Sequence, residues 1–161
     1  MTEPRIRILI DRQQLQLLDG GHVQASWSVS TAANGPGQQR DSGCTPLGRH
    51  RIRIKLGEGC PTGAVFVGRR HTGECYTPQL AAAQPQRDWI LTRILWLTGL
   101  EAGHNRGGQV DTLRRYIYIH GTPDSEPMGV PRSHGCIRMR NADLISLFDQ
   151  VRAGDRVDIL P

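Results

Sequence analysis

Short stretches of alternating polar and apolar residues constrain the fold of this chain more than any other feature. Residues 5–10 begin by alternating arginine with isoleucine, and residues 49–54 alternate again. Alternation at period two places successive side chains on opposite faces of a β-strand. The chain also holds 19 glycines and 10 prolines, a composition that suits many short strands joined by turns. The sequence therefore predicts a mostly β fold.

Further predicted strands share either this alternation or a short apolar run: residues 23–30, 64–67, 89–97, 114–120 and 156–160. Three segments lack periodicity and are predicted loops: residues 34–48, 77–87 and 100–109. The last of these loops has two adjacent glycines and directly precedes the strand that ends at His120. We expect a mobile surface loop, placed where it can overhang this histidine.

One helix is predicted near the C-terminus, because apolar residues recur there at helical spacing: Leu144, Leu147, Phe148 and Val151. Asn141 is the expected N-cap of this helix, and Gly154 stands at its C-terminal end. The 161 residues show no internal repeat, low-complexity tract or linker. Residues 1–161 are therefore predicted to form a single domain.

Charge and cysteine content narrow the possible functions. The net charge of +5 is spread along the chain without blocks of like charge or basic-aromatic interleaving, so no nucleic-acid partner is predicted. A basic cleft would instead concentrate a small anionic substrate. Charged residues interrupt the first thirty positions, which leaves no apolar stretch long enough for a signal peptide or a membrane span. We therefore expect a cytoplasmic protein with no membrane partner, whose four cysteines are thiols.

His71, Cys75 and Cys60 are the candidate metal ligands, since His71 and Cys75 have the spacing His-x-x-x-Cys. No convincing fourth ligand and no Cys-x-x-Cys pair accompanies them, so buried thiols are favoured over a zinc site. We expect neither a metal nor a cofactor.

A histidine and a cysteine suited to thiol catalysis lie in the last third of the sequence. His120–Gly121 ends a predicted strand, and Cys136 follows within the segment SHGCIRM. An imidazole with a reference pKa near 6.5 can take the thiol proton at neutral pH or hold it in an ion pair, which produces a nucleophilic thiolate. Tyr118, two residues before His120, either lines the same face of the strand or simply packs. Taken alone, the pair is weak support, because a free cysteine is more often a buried structural residue.

Five segments carry a far more specific pattern. They occur in the order and approximate spacing of the L,D-transpeptidase (YkuD-type) catalytic domain, which nearly the whole chain resembles: LIDRQQLQLLDGGHV, VST, CTPLGRHRI, RRYIYIHGT and GVPRSHGCIRMRNAD. The resemblance implies a β-sandwich or open barrel with one or a few short helices. It also implies that Cys136 attacks a peptide carbonyl, that His120 serves as base and then as acid, and that the Gly121 carbonyl orients His120.

Supporting roles around the thiol are implied as well. Backbone N–H groups of His134, Gly135 and Cys136 would surround the oxyanion, and Ser133 and His134 would shape the pocket. Arg138 lies two residues after Cys136, so an extended backbone points it to the same side. There its planar guanidinium suits a substrate carboxylate, and a structural ion pair is the alternative.

By this resemblance the substrate is a murein tetrapeptide or muropeptide, cleaved between its third residue, a diamino acid, and its terminal D-alanine. Without an export signal, we expect an L,D-carboxypeptidase that uses water as acceptor in cytosolic peptidoglycan recycling. Two alternatives stay open: L,D-transpeptidation or D-amino-acid exchange with an amine acceptor, and a non-catalytic module that binds wall fragments. The resemblance further implies that carbapenem-type β-lactams acylate Cys136, because a strained lactam presents its carbonyl to the same nucleophile.

Overall fold

The structure is a computed structural model that describes residues 3–161. Strands dominate the described chain, as the alternating pattern predicts. In order, the elements are β1 (Ile6–Leu9), β2 (Gln14–Asp19), β3 (His22–Ser30), β4 (Gly48–Leu56), β5 (Ala64–Val67), β6 (Arg70–Cys75), α1 (Pro78–Ala83), β7 (Ile90–Gly99), a 3-10 turn (Gly108–Val110), β8 (Tyr118–Gly121), β9 (Ile137–Met139), α2 (Asn141–Phe148) and β10 (Arg156–Leu160). Within residues 3–161, no helix has the length and apolar character needed to cross a membrane.

Eight of these strands close into a barrel. Their order around it is β4, β10, β1, β2, β3, β9, β8 and β7, and β7 pairs back with β4. Closure leaves no open edge among the eight strands, which removes a surface on which other chains could pair. The hairpin of β5 and β6 branches from the start of β7, where Val65 pairs with Leu91. The predicted mostly β fold with a few short helices is confirmed.

The barrel strands and α2 share one hydrophobic core. Alternate residues of β1 and β2 are buried, as expected for strands with one face toward the interior. Helix α2 packs against β7 and β8 and adds Leu144, Leu147 and Phe148 to the same core. Burying each of these side chains contributes about 2 kcal/mol. The predicted helix is thereby confirmed. Its packing holds α2 against β8, the strand that contains His120.

The predicted loop over residues 77–87 is partly wrong, because Pro78–Ala83 forms α1. The Thr77 hydroxyl accepts a hydrogen bond from Leu80 N (3.0 Å) and so caps the helix. Proline suits the first helical position, where its missing N–H has no intrahelical partner to lose. The Thr-Pro pair in the sequence was the available signal for this helix.

The strand that contains His120 starts later than predicted. It begins at Tyr118 rather than at Arg114, because Tyr116 adopts a left-handed backbone conformation with a φ of 57°. Such a conformation interrupts the extended backbone that a strand requires.

The loop over residues 100–109 does not overhang His120, so that prediction is wrong. Asn105 is fully buried within the loop, and its Nδ2 atom donates to the carbonyls of Leu47 (3.0 Å) and Arg49 (3.1 Å). These bonds attach the loop to the start of β4. None of residues 100–109 lines the cleft that contains His120.

Candidate active site

A cleft of about 260 Å³ brings together most of the predicted site residues. Its predicted members are Tyr118, His120, Ser133, His134, Cys136 and Arg138. Its other members, which the sequence did not indicate, are Gly68, Arg69, Asp88, Ile90 and Tyr116. The two predicted glycines do not line the cleft themselves. Gly121 directly follows His120, and Gly135 lies between His134 and Cys136.

Parallel pairing of β8 with β9 explains why the histidine and the cysteine share this cleft. Ile119 pairs with Ile137, and His120 pairs with Arg138. Cys136 directly precedes β9 and is therefore level with Tyr118, two residues before the histidine. Residues far apart in sequence thus meet on neighbouring strands.

Backbone groups at and just before the start of β8 hold the Cys136 thiol in place. The Tyr118 N–H donates to the sulfur (3.3 Å), and the thiol donates to the Tyr116 carbonyl (3.3 Å). Burial raises the pKa of Cys136 to about 12, and the Tyr118 N–H opposes part of this rise. The resting form at neutral pH is therefore a protonated thiol, which needs a base before it can attack.

His120 is buried and held in one tautomer. Its Nδ1 atom lies 2.6 Å from the carbonyl oxygen of Gly121. A carbonyl only accepts, so Nδ1 carries the proton and Nε2 keeps a free lone pair. Burial lowers the pKa of His120, and the Gly121 carbonyl opposes this change. The ring is therefore neutral at pH 7 and able to accept a proton at Nε2.

A buried network lies behind Gly121. A β-carbon at this position would stand 2.6 Å from the Leu91 carbonyl and would overlap Asn141 Oδ1, so only glycine fits. Asn141 Oδ1 accepts from the Thr92 hydroxyl (2.6 Å), and its Nδ2 donates to the Thr122 carbonyl (3.0 Å). These bonds surround the peptide whose carbonyl orients His120.

The predicted N-cap role of Asn141 is wrong. The N-cap residue of α2 is Arg140, without a side-chain cap bond, and Asn141 is the first helical residue. Its side chain turns instead toward Thr92, the third residue of β7, which has a φ of 76°. A threonine in this conformation is strained, and such strain persists only where surrounding contacts impose it. The strained residue sits at the register shift of β7 between Leu91 and Ile94.

The backbone before Cys136 forms a tight turn around Ser133. The Ser133 hydroxyl donates to the Cys136 carbonyl (2.5 Å) and accepts from Gly135 N (3.2 Å). Gly135 has a φ of 132°, and its carbonyl accepts from the Thr45 hydroxyl (2.8 Å). The Gly135 N–H is therefore already bonded to Ser133. Of the three N–H groups expected around an oxyanion, those of His134 and Cys136 remain candidates.

Arg138 lies in the cleft but between two carboxylates. Its guanidinium nitrogens lie 3.7 Å from Asp88 Oδ1 and 3.8 Å from Glu126 Oε2. Its side chain is only 11% exposed, so these acids balance most of its charge. The geometry therefore supports the ion-pair alternative for Arg138 as strongly as a substrate contact.

Arg69 is the cation among the cleft residues that the sequence did not indicate. It occupies the turn between β5 and β6, and its guanidinium carbon lies 5.0 Å from the ring centre of Trp96 and 4.9 Å from that of Tyr116. It also donates to the Tyr118 hydroxyl (3.3 Å). The only signal in the sequence was Gly68-Arg69 between two short strands, which indicates a turn and nothing about the cleft. Tyr118 does face the cleft, as one of its two predicted roles requires.

The candidate metal ligands do not converge. Cys60 Sγ lies 3.8 Å from His71 Nδ1, but no group of three or more His, Cys, Asp or Glu side chains within residues 3–161 could hold a metal ion. Cys75 pairs with Ala64 at the other end of the β5–β6 hairpin from His71.

Comparisons with known proteins agree with this geometry. The family model described as YkuD, L,D-transpeptidase catalytic domain, matches residues 3–159. The protein named probable L,D-transpeptidase ErfK/SrfK of Escherichia coli (strain K12) is 48% identical over 46 residues. That match spans 29% of this chain and 15% of the relative's length.

Solved structures show the same fold at low identity. The chain is similar to L,D-transpeptidase 3 from Mycobacterium tuberculosis in complex with a faropenem-derived adduct, with a TM-score of 0.57 and 17% identity over 98% of this chain and 61% of that one. It is also similar to the catalytic domain of an Enterococcus faecium L,D-transpeptidase, with a TM-score of 0.55 and 15% identity over 99% of this chain and 98% of that one.

Proposed function

This chain belongs to the YkuD family of L,D-transpeptidase catalytic domains, and from that premise we propose that Cys136 is the nucleophile and His120 the base of a thiol acyl-transfer enzyme. The observation that carries the proposal is the His120–Gly121 hydrogen bond of 2.6 Å, because it fixes Nδ1 as the protonated nitrogen. Nε2 is then the basic atom in the cleft that also contains the Cys136 thiol.

In the first half-reaction, His120 Nε2 takes the thiol proton and the sulfur attacks the carbonyl carbon of the scissile peptide bond. The N–H groups of His134 and Cys136 stabilise the oxyanion of the tetrahedral intermediate. When the intermediate collapses, the C–N bond breaks and the amine of the D-amino acid leaves with the proton from His120. The acyl group remains on Cys136 as a thioester.

In the second half-reaction, His120 takes a proton from the acceptor, which attacks the thioester carbonyl. The C–S bond breaks, and the proton returns to the thiol. With water as acceptor the product is a carboxylic acid, and the enzyme is an L,D-carboxypeptidase. With an amine the product is a new amide, and the enzyme is a transpeptidase.

The substrate we propose is a murein tetrapeptide stem, cleaved between its third residue and the terminal D-alanine, with water as acceptor. Water is proposed as the acceptor because it is the most abundant one that can reach a thioester in this open cleft. The net charge of +5 suits a substrate that carries several carboxylates. A role in cytoplasmic recycling of stems belongs to the same proposal, and cell fractionation tests it: recovery of the protein outside the cytoplasm contradicts it.

Transpeptidation or D-amino-acid exchange is the second candidate. It is favoured by the names of the curated relatives, which read probable L,D-transpeptidase. A peptide or amino-acid amine competes with water for the same thioester, so one assay separates the two outcomes.

The test uses purified protein with L-Ala-D-Glu-diaminopimelate-D-Ala, with and without a competing D-amino acid, and follows products by mass spectrometry. Loss of D-alanine to leave the tripeptide supports the carboxypeptidase, and a dominant exchange product supports the transpeptidase. Cys136→Ala abolishes either product, whereas Cys75→Ala, an exposed cysteine outside the cleft, does not. Binding of the stem without turnover or acyl-enzyme would sink the catalytic proposal and favour a binding module.

Covalent inhibition offers a second test of the nucleophile. The similar M. tuberculosis enzyme carries a faropenem-derived adduct, and we propose that carbapenem-type β-lactams acylate Cys136 in this chain. Intact-mass spectrometry should show one adduct on the wild type and on Cys75→Ala, and none on Cys136→Ala. An adduct that persists in Cys136→Ala contradicts the assignment.

A further inference from the structure

Arg69 differs from the other cation at the cleft in having no acid beside it. Arg138 lies near Asp88 and Glu126, whereas no Asp or Glu in residues 3–161 lies within ion-pair distance of the Arg69 guanidinium. We propose that Arg69 binds the carboxylate at the far end of the side chain of the stem's third residue. This inference rests on the proposed function, since it assumes a stem peptide at Cys136.

The Arg69 guanidinium is already ordered in the free protein. It lies over the faces of Trp96 and Tyr116 and donates to the Tyr118 hydroxyl. The Tyr118 bond uses only one of its N–H donors, so the planar fork can still bind a carboxylate through two parallel hydrogen bonds. Because the aromatic rings hold the side chain in place, a ligand does not have to order it, which lowers the entropic cost of binding.

Tyr118 sets the distance between Arg69 and the thiol. Its backbone N–H contacts Cys136 Sγ and its hydroxyl contacts Arg69, each at 3.3 Å. The guanidinium is therefore about one tyrosine side chain away from the sulfur. The carboxylate of the leaving D-alanine is too close to the scissile bond to span this distance. A carboxylate at the end of the third residue's side chain, as in diaminopimelate, has a comparable reach, and lysine lacks it.

The hairpin turn does not by itself explain an arginine at this position. Gly68 and Arg69 have φ values of 55° and 66°, which makes the turn type I′. Asn or Gly adopts the second of these conformations with less strain than arginine. The arginine is therefore explained by its side chain, which lines the cleft, and not by the backbone conformation of the turn.

Binding is measured in the Cys136→Ala background, so that the stem is not consumed. Isothermal titration calorimetry compares three stems: one with diaminopimelate third, one with the distal carboxyl of diaminopimelate amidated, and one with lysine third. Arg69→Gln should weaken the diaminopimelate stem about tenfold or more, the loss expected for a charge-assisted hydrogen-bonded pair. It should leave the other two stems nearly unchanged. Arg70→Gln, on the same turn with its side chain exposed, should affect none of them.

The pattern across the stems separates recognition from a structural role. An equal loss for all three stems, or no loss for the diaminopimelate stem, overturns the inference, and thermal melts show whether each variant is folded. If binding follows the predicted pattern but the wild-type enzyme does not turn over the stem, the proposed function alone is overturned. Turnover with no Arg69-dependent preference would overturn the inference alone, and failure of every stem to bind would overturn both.

Discussion

His120 Nδ1 and the Gly121 carbonyl oxygen lie 2.6 Å apart, so a backbone group of the adjacent residue fixes the tautomer of the histidine. In many catalytic triads a carboxylate fills this position and stabilises the charged imidazolium. A neutral carbonyl stabilises that charge less, while burial lowers the pKa of His120. Together with a Cys136 pKa raised to about 12, this favours a neutral thiol and a neutral imidazole at rest over a preformed ion pair.

The pH dependence of turnover tests this resting state. Activity needs neutral His120, whose pKa is lowered below 6.5, so kcat/KM should be level above about pH 6.5 and fall only under more acidic conditions. A preformed thiolate–imidazolium pair would instead lose activity as the imidazolium deprotonates on the alkaline side. A pH–rate profile for the tetrapeptide distinguishes the two, and an alkaline decline between about pH 7 and 8.5 contradicts the neutral pair.

Direct titration of the thiol is an independent check. Burial raises the pKa of Cys136 to about 12, so the wild type should show no thiolate absorbance from this residue near pH 8. The measurement is the ultraviolet difference spectrum between wild type and Cys136→Ala across pH, with Cys75→Ala as the matched control. A Cys136-dependent thiolate signal at neutral pH would show that the resting site is already ionised.

Asn141→Ala should reduce both stability and turnover. The substitution removes the acceptor of the buried Thr92 hydroxyl, which keeps the Gly63 N–H (3.0 Å) as a partner, and it removes the Asn141 donor to the Thr122 carbonyl. We expect a loss of about 1–3 kcal/mol in the free energy of unfolding. It also loosens the peptide behind Gly121, so kcat should fall while KM changes less. Urea denaturation and steady-state kinetics measure the two effects, and Ser146→Ala on the exposed face of α2 is the control. Unchanged kcat in a folded Asn141→Ala variant would mean that the network does not position His120.

His50 should make the fold sensitive to acid. It is fully buried, with Nδ1 3.0 Å from the Gly48 carbonyl and Nε2 2.9 Å from the Thr112 hydroxyl. Burial lowers its pKa to about 4, against 6.5 when unfolded. The unfolded chain therefore binds a proton first, so this stability is complete above pH 6.5 and about 3 kcal/mol of it is lost as the pH falls to 4.

The measurement is the free energy of unfolding of wild type and His50→Gln at pH 7 and near pH 4. The variant lacks the titrating ring, so the difference between the two proteins should shrink by about 3 kcal/mol on acidification. His22→Gln, at an exposed position, should follow the wild type. A difference that is the same at both pH values would show that His50 does not gain a proton on unfolding.

Much of the fold could be read from local patterns. The alternation of residues 49–54 gave β4, and the apolar spacing from Leu144 to Phe148 gave α2. Local patterns failed where a backbone conformation depended on distant contacts. Tyr116 is left-handed and shortens β8, and Asn105 ties its loop to β4 through carbonyls of residues far away in the sequence.

The sequence by itself determined the candidate pair His120 and Cys136, because residue type supplies a thiol and an imidazole and the family pattern selects these two among four cysteines and six histidines. It also determined that Gly121 could act only through its carbonyl. Tertiary structure alone decided which charges meet. Arg138 on β9 lies within ion-pair distance of Asp88 and Glu126, whereas no acid among residues 3–161 lies that close to Arg69 in the β5–β6 turn. The Coulomb energy of two charges depends on the distance between them and on how far they are buried, and the spacing of residues along the chain specifies neither.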